Sequence, residues 1–155
     1  MKKKYTTAQI TEKIRHYCAY QERSHSEVRN RLYDYGLYSS EIDELISALI
    51  TDGYLNEERY AKTFAGGKFR IKKWGRLKII NALEGNGISK NCIQSGMKEI
   101  DQRDYLKTLT EILQKKLDLL TEPNDFVKRD KVARYAIQKG FEPELVWTLL
   151  KDLEN

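Results

Sequence analysis

The sequence has little cysteine and little proline, and it lacks any long apolar run. Cys18 and Cys92 lie 74 residues apart with no CxxC pair, which indicates neither a disulfide framework nor a zinc site. No stretch approaches the roughly 18 apolar residues of a membrane helix. The basic start MKKKYTTAQITEK has no apolar core of the kind that signal peptides carry. We therefore expect a reduced, cytoplasmic, soluble protein without a membrane partner.

Motifs for catalysis and cofactor binding are equally scarce. The sequence contains no GxxxxGK phosphate loop, and no pair of acidic residues has a companion nucleophile. His16, Cys18 and His25 are close in sequence. On a helix, however, the first two point about 200° apart, which disfavours a shared metal. We interpret the protein as a non-enzyme, with no catalytic, metal-binding or cofactor-binding residues.

The pattern of apolar residues is helical along almost the whole chain. The two prolines are Pro123 and Pro143, and no alternating run of strand length competes with the helical spacing. At 40% hydrophobic and 33% charged residues, the chain has enough apolar side chains to fold but more charge than a compact globule usually carries. This composition favours an elongated all-α protein.

Three glycines, Gly36, Gly87 and Gly140, mark an internal repeat because they are 51 and 53 residues apart. Each is followed by an apolar residue and preceded four positions earlier by a small or apolar one. We predict that each ends a helix in the left-handed conformation, with the next residue packed back on the turn. A longer helix should precede each turn motif, at about residues 7–21, 56–73 and 102–120.

These units predict an elongated array of three tandem three-helix, helix-turn-helix-like repeats, at residues 1–53, 54–100 and 101–155. Ser24 or Ser26 is the predicted cap of the helix that carries Val28, with Glu27 completing a capping box after Ser24. The other predicted caps are Ser39 or Ser40 and Ser89. The candidate recognition helix SSEIDELISALI carries three acids that phosphates would repel. Sequence-specific DNA recognition is therefore not expected.

The positive charge is concentrated in the middle repeat, where ten Lys and Arg face four Asp and Glu. Its densest part is KFRIKKWGRLK, residues 68–78, with six basic residues in eleven. A solvated helix face is one interpretation, and a contact surface for a partner is the one we favour. The predicted contact residues are Lys62, Lys68, Arg70, Lys72, Lys73, Arg76 and Lys78.

The helical spacing also predicts which side of this segment is buried. Tyr60, Phe64 and Ile71 share one stripe, which we expect to be buried, and several of the basic residues fall opposite it. Trp74 and Trp147 are predicted to be packing residues. In the third repeat, Lys115 and Lys116 lie in a stretch that acidic residues balance locally.

Three stretches of the sequence form a recognisable combination: RSHSEVRNRL followed by LITDGYLNEERYAKTF, the pattern Gly75, Ile79, Leu83, Gly87-Ile88, and RDKVARYAIQKGFEPELVWTLLKDL. Together they resemble the RecX family of recombination regulators. The resemblance spans nearly the whole chain. In the third repeat it departs at Ala136, where a larger apolar residue is common in the family.

The resemblance implies a regulator of RecA in DNA recombination, DNA repair and the SOS response. Such proteins bind RecA and its filament on single-stranded DNA, and they restrain strand exchange, ATP hydrolysis and coprotease activity. We therefore expect a monomer that binds RecA and, weakly and without sequence preference, single-stranded DNA. Two alternatives stay open: a sequence-indifferent DNA-binding helical protein, and an adaptor that binds protein alone.

Overall fold

The computed structural model describes residues 5–153, which form nine α-helices and no strand. The predicted all-α fold of tandem three-helix repeats is confirmed. The three long helices begin and end within one residue of their predicted limits. In chain order the helices are α1 (Thr7–Tyr20), α2 (His25–Asp34), α3 (Ser39–Thr51), α4 (Glu57–Lys72), α5 (Arg76–Gly85), α6 (Lys90–Met97), α7 (Gln102–Leu119), α8 (Asp125–Gln138) and α9 (Pro143–Leu153).

The same glycine turn joins the last two helices of each repeat, as predicted. Gly36, Gly87 and Gly140 have positive φ angles of 95°, 73° and 102°. In each turn the residue after the glycine donates its N–H to the carbonyl five positions earlier, which closes a Schellman motif. These bonds are Leu37 to Leu32 (3.2 Å), Ile88 to Leu83 (3.1 Å) and Phe141 to Ala136 (3.2 Å). All six of these side chains are buried, so the turn also anchors the helix pair in the core.

Two of the predicted helix caps are confirmed. The Ser24 hydroxyl accepts the Glu27 N–H at 3.1 Å, and the Glu27 carboxylate accepts the Ser24 N–H at 2.8 Å. This reciprocal pair is the predicted capping box at the start of α2. Ser89 caps α6 in the simpler way, since its hydroxyl accepts the Cys92 N–H at 3.3 Å.

The predicted cap of α3, Ser39 or Ser40, is wrong. The helix already begins at Ser39, so the capping position falls on Tyr38. There the Tyr38 N–H donates to the Glu41 carboxylate at 3.2 Å. The tyrosine side chain makes no capping hydrogen bond of the kind that a serine hydroxyl makes. At this helix start the Glu41 carboxylate in the first turn accepts the backbone N–H instead.

The chain divides into two compact units, and the division runs inside α4 and α5. The first unit contains Met1–Thr63 and Leu83–Gly96. Its helices α1, α2 and α3 pack around a fully buried apolar core that includes Ile10, Ile14, Val28, Leu32, Ile42 and Leu49.

The second unit contains Phe64–Ala82 and Met97–Asn155. Here α7, α8 and α9 pack together around an aromatic centre. The Tyr105 ring lies 5.1 Å from the Phe141 ring and 5.8 Å from the Phe69 ring, measured between centroids. Tyr105 and Phe141 are fully buried, as are the α7 residues Leu109 and Leu113.

The start of α5 is held by groups from other parts of the second unit rather than by a capping side chain from the adjoining sequence. A carbon atom added to Gly75 would overlap the carbonyl group of Gly140, so the two backbones are in direct contact. Three consecutive N–H groups, which a helix start leaves without partners, find acceptors there. They are Gly75 to the Lys139 carbonyl (2.7 Å), Arg76 to the Tyr105 hydroxyl (2.9 Å) and Leu77 to the Gly140 carbonyl (2.9 Å).

This contact predicts that Gly75→Ala lowers the free energy of unfolding by about 3 kcal/mol, because the new methyl group forces two backbones apart. Gly67→Ala is the matched control, since nothing lies within 4 Å of the added carbon at that helical position. It should raise the free energy of unfolding by up to about 1 kcal/mol. Urea unfolding followed by circular dichroism measures both, and equal effects of the two substitutions would contradict the close contact.

Candidate functional site

The buried side of α4 differs from the predicted stripe. Tyr60 is buried and Phe64 half-buried, but Ile71 is 78% exposed. The helix contributes to two cores: Tyr60 lies in the first unit and Phe69, also buried, in the second. Nine residues separate them, which is about half a turn in direction. A stripe continued from Tyr60 therefore wrongly predicts that Ile71 is buried. This apolar side chain is exposed within the basic segment.

Two of the predicted contact residues converge on Trp74. The ammonium group of Lys68 lies 4.9 Å from the centre of the Trp74 ring, and that of Lys78 lies 4.6 Å from it. Trp74 itself is half-buried and stands edge-on to Phe64 at 6.3 Å. We call Lys68, Trp74 and Lys78 the Trp74 cluster; it holds two cations on one aromatic ring. Trp147, by contrast, is 43% exposed and is not part of the buried core.

Arg76 is engaged inside the second unit. Its guanidinium lies 3.8 Å from the centre of the Tyr105 ring and 3.0 Å from the Glu142 carboxylate, and it also bonds the Gln102 side chain. The Tyr105 hydroxyl donates to the other oxygen of Glu142. Because the partners of this arginine lie on α7 and just before α9, far away in sequence, the sequence alone could not distinguish it from its exposed neighbours.

Charge and burial in this network shift two pKa values. Burial raises the pKa of the Tyr105 hydroxyl. Burial alone would also raise the pKa of Glu142, but the hydrogen bond from Tyr105 and the charge of Arg76 together hold that pKa below 4.5. Glu142 is therefore a carboxylate at neutral pH, which suits its ion pair.

Three more of the predicted contact residues are exposed: Lys62, Arg70 and Lys72. Lys62 lies on α4 in the first unit, and Arg70 and Lys72 lie on α4 in the second. The Arg70 guanidinium folds back over Gly66, where an added carbon would come within 2.5 Å of it. The close neighbour of Gly66 is therefore a side chain, and nothing lies within 4 Å of a carbon added at Gly67.

Lys73 differs from the rest because its backbone is left-handed, with φ +57°. It ends α4 in the position that glycine normally takes, and the Trp74 N–H donates to the Lys68 carbonyl at 3.1 Å. Its side chain lines an open cleft of about 380 Å³ in the second unit. We call this the lysine cleft; its lining residues are Lys73, Thr108, Glu111, Ile112, Lys115, Lys116, Leu119, Tyr135 and Lys139.

The predicted local charge balance at Lys115 and Lys116 is not made by ion pairs. In the described part of the chain no carboxylate lies within 4.0 Å of either ammonium group. Instead, Lys116 lies 4.4 Å from the centre of the Tyr135 ring, and Lys139 lies 5.8 Å from the same centre. Sequence reasoning missed Tyr135 and Lys139, because only folding brings the end of α8 beside α7.

Other kinds of site receive no support from the described residues. Among them, no group of three or more His, Cys, Asp or Glu side chains could hold a metal ion. None of the described helices is both long and apolar enough to span a membrane.

The architecture is that of a helical protein made of tandem three-helix domains, and comparison with known proteins agrees with that class. The profile "RecX, second three-helix domain" matches residues 56–97, and "RecX, third three-helix domain" matches residues 103–150. The chain belongs to the RecX family.

Curated relatives and solved structures are consistent with this membership. The "Regulatory protein RecX" of Clostridium perfringens (strain 13 / Type A) is 27% identical over 135 residues, 86% of this chain and 63% of that protein. The Streptococcus agalactiae protein of the same name is 25% identical over 139 residues, 90% of this chain and 53% of that protein. The chain thus spans less than two thirds of these relatives.

Two crystal structures share the fold. RecX from Lactobacillus salivarius superimposes with a TM-score of 0.84 at 20% identity, over 95% of this chain and 96% of that one. A second regulatory protein RecX gives 0.83 at 17% identity, over 94% and 71% of the two chains.

The left-handed backbone at Lys73 generates a prediction about stability. Lys73→Gly should raise the free energy of unfolding by about 1 kcal/mol, because glycine adopts this conformation without steric strain. The control is Lys107→Gly inside α7, which should lower it by about 1 kcal/mol. Urea unfolding measures both, and destabilisation by Lys73→Gly would show that the turn is not strained.

The lowered pKa of Glu142 generates a prediction about pH. The carboxylate adds stability that is fully present above pH 4.5, its usual pKa, and is lost as the pH falls through its lower folded pKa. Glu142→Gln should therefore melt at a lower temperature at neutral pH, and the difference from the unmodified protein should shrink in acid. Thermal melts across acid and neutral pH test this. Glu99→Gln, at an exposed position, is the control, and a gap that is constant with pH would contradict the assignment.

Proposed function

We propose that this protein is a regulator of RecA that binds RecA and its filament on single-stranded DNA. In this role it restrains strand exchange, ATP hydrolysis and coprotease activity, and so modulates DNA repair and the SOS response. The observation that carries the proposal is the match of two successive parts of the chain to RecX domains. The protein is proposed to act as a monomer in the cytoplasm, by binding and without catalysis of its own.

The exposed chemistry of α4 in the second unit supports a protein partner. Ile71, 78% exposed, stands in sequence between Arg70 and Lys72, both exposed. In the next segment Leu77 is 48% exposed. Exposed aliphatic side chains among cations are typical of surfaces that contact an acidic, partly apolar protein surface. A surface that only attracts DNA backbone has no need of them.

The Trp74 cluster supports an additional contact with DNA. Its two ammonium groups are held close to one ring, so they form a small site of concentrated positive charge. Such charge attracts phosphates whatever the base sequence, and the affinity falls steeply as salt rises. We therefore propose weak, sequence-indifferent binding of single-stranded DNA at this cluster. A sequence preference would instead indicate a transcriptional role, and no affinity for DNA would favour an adaptor that binds protein alone.

The charge reversal Arg70→Glu/Lys72→Glu tests the proposed contact with RecA. Arg76 stays intact, because its ion pair belongs to the folded structure. The reversal places glutamates opposite the acidic partner surface, so that repulsion replaces attraction. About tenfold more protein should therefore be needed for half-maximal restraint of RecA. The measurement is the DNA-dependent ATP hydrolysis of RecA, titrated with the unmodified protein and with the variant.

Lys107→Glu/Lys151→Glu is a matched control for this reversal. Lys107 is an exposed residue inside α7, and Lys151 lies in the last turn of α9, just as Lys72 lies in the last turn of α4. Both double variants change the charge by the same amount, and each places at least one acid in the last turn of a helix, where it opposes the helix dipole. Equal restraint of RecA by the two variants would refute the contact at Arg70 and Lys72. No effect of the unmodified protein on RecA would refute the function itself.

A further inference from the structure

The lysine cleft combines strong positive charge with a size suited to a small ligand. Four of its nine lining residues are lysines, and the one lining acid is Glu111. Three separate segments supply them: Lys73 follows α4, Lys115 and Lys116 lie on α7, and Lys139 follows α8. The volume of about 380 Å³ falls within the range of pockets that hold small organic ligands.

The four ammonium groups are available to an anion. Across residues 5–153, none of them has a carboxylate within 4.0 Å. Lys116 and Lys139 lie against the Tyr135 ring, and Lys139 also donates to the Lys72 carbonyl at 3.3 Å. These contacts orient the side chains but leave their charge uncompensated. An arrangement of like charges of this kind is stabilised when an anion binds among them.

The cleft also has an apolar side. Leu119 is 66% exposed and Tyr135 is 40% exposed, and Ile112 lies one helical turn before Lys116 on the same face of α7. A purely inorganic anion makes no use of these side chains. A ligand with both a charged group and a flat or apolar group would contact both sides of the cleft.

Phosphate fits the charged side better than carboxylate does. Lysine ammonium groups act as compact point charges, which suit a tetrahedral anion approached from several directions, whereas paired recognition of a planar carboxylate favours arginine. Of the described residues that line the cleft, none is arginine. We propose that the lysine cleft binds a nucleotide, with the phosphate among the four lysines and the base against Tyr135 and Leu119.

Two sources supply this chemistry: a free nucleotide, and one nucleotide unit of single-stranded DNA. The second source deepens the proposed function, and in that form the inference rests on it. The test itself contains no RecA. Loss of nucleotide binding and loss of RecA restraint are therefore separate results.

The experiment is calorimetric titration of the full chain with thymidine 5′-monophosphate, a short oligothymidylate, inorganic phosphate and oligoglutamate. The nucleotide or the oligothymidylate should bind more tightly than the other two. Lys115→Gln/Lys116→Gln should weaken that binding about tenfold. Lys107→Gln/Lys151→Gln removes the same charge from exposed positions outside the cleft and should leave the affinity within about twofold.

Two further measurements test the two sides of the cleft separately. For the oligothymidylate, the logarithmic salt slope of the Lys115→Gln/Lys116→Gln variant should be shallower by up to about 0.7, the amount lost with one phosphate contact. Tyr135→Ala should weaken nucleotide binding while leaving binding of inorganic phosphate within about twofold.

The results separate the two sources and the competing ligands. Binding of the oligothymidylate without the mononucleotide assigns the cleft to the strand, and binding of the mononucleotide without the oligothymidylate assigns it to a free nucleotide. Inorganic phosphate that binds as tightly as either would overturn the role of the base. Oligoglutamate that binds as tightly as the nucleotide would overturn the proposal in favour of an acidic peptide ligand. Unchanged affinity of the Lys115→Gln/Lys116→Gln variant would show that the nucleotide does not bind in the lysine cleft.

Discussion

The direct contact between the backbones of Gly75 and Gly140 holds the second unit together around the start of α5. A side chain at either position would prevent it, since an added carbon at Gly75 meets the Gly140 carbonyl and one at Gly140 meets Lys78. The contact lets carbonyl groups at the end of α8 accept N–H groups at the start of α5. Helix α5 therefore begins where another helix ends, and tertiary structure supplies the cap that its own sequence lacks.

The different fates of the basic residues follow from this contact. With α5 fixed against the α8–α9 turn, Arg76 reaches Glu142 and Tyr105 and becomes half-buried. The Lys139 carbonyl is used by Gly75, while its side chain reaches the Lys72 carbonyl and borders the lysine cleft. One run of positive charge is thereby divided among a structural ion pair, an aromatic cluster and a cleft.

Because the basic residues have different partners, their number alone does not measure the charge available for binding. A count of lysines and arginines treats the run as one surface, whereas the structure shows that its members differ in burial and in partners. Arg76 stabilises the fold, and its substitution would confuse loss of binding with loss of structure. Lys115 and Lys116 lie in a stretch of sequence whose acidic residues balance their charge. In the structure they extend the positive surface beside Lys73. Function is therefore best tested with variants chosen from the structure.

The sequence by itself determined the helices, their glycine turns and the repeat. Each depends on local rules: apolar residues at helical spacing, a glycine where φ must be positive, and a serine that caps the next helix. It also carried the resemblance to the RecX family. Local rules did not place Ser39 correctly, because the position of a helix start to one residue depends on the bonds that the neighbouring side chains can make.

Only the tertiary structure decided which basic residues remain exposed and which side of α4 is buried. Ile71 follows the apolar stripe of Tyr60 in sequence, yet it is exposed because the second unit buries Phe69 from another face of the helix. Arg76 and Lys78 are two residues apart, yet one is paired inside the fold and the other lies on Trp74. The physical reason is that burial and ion pairing depend on partners distant in sequence. Tyr105, Lys139 and Glu142 come to this segment only when the second unit packs.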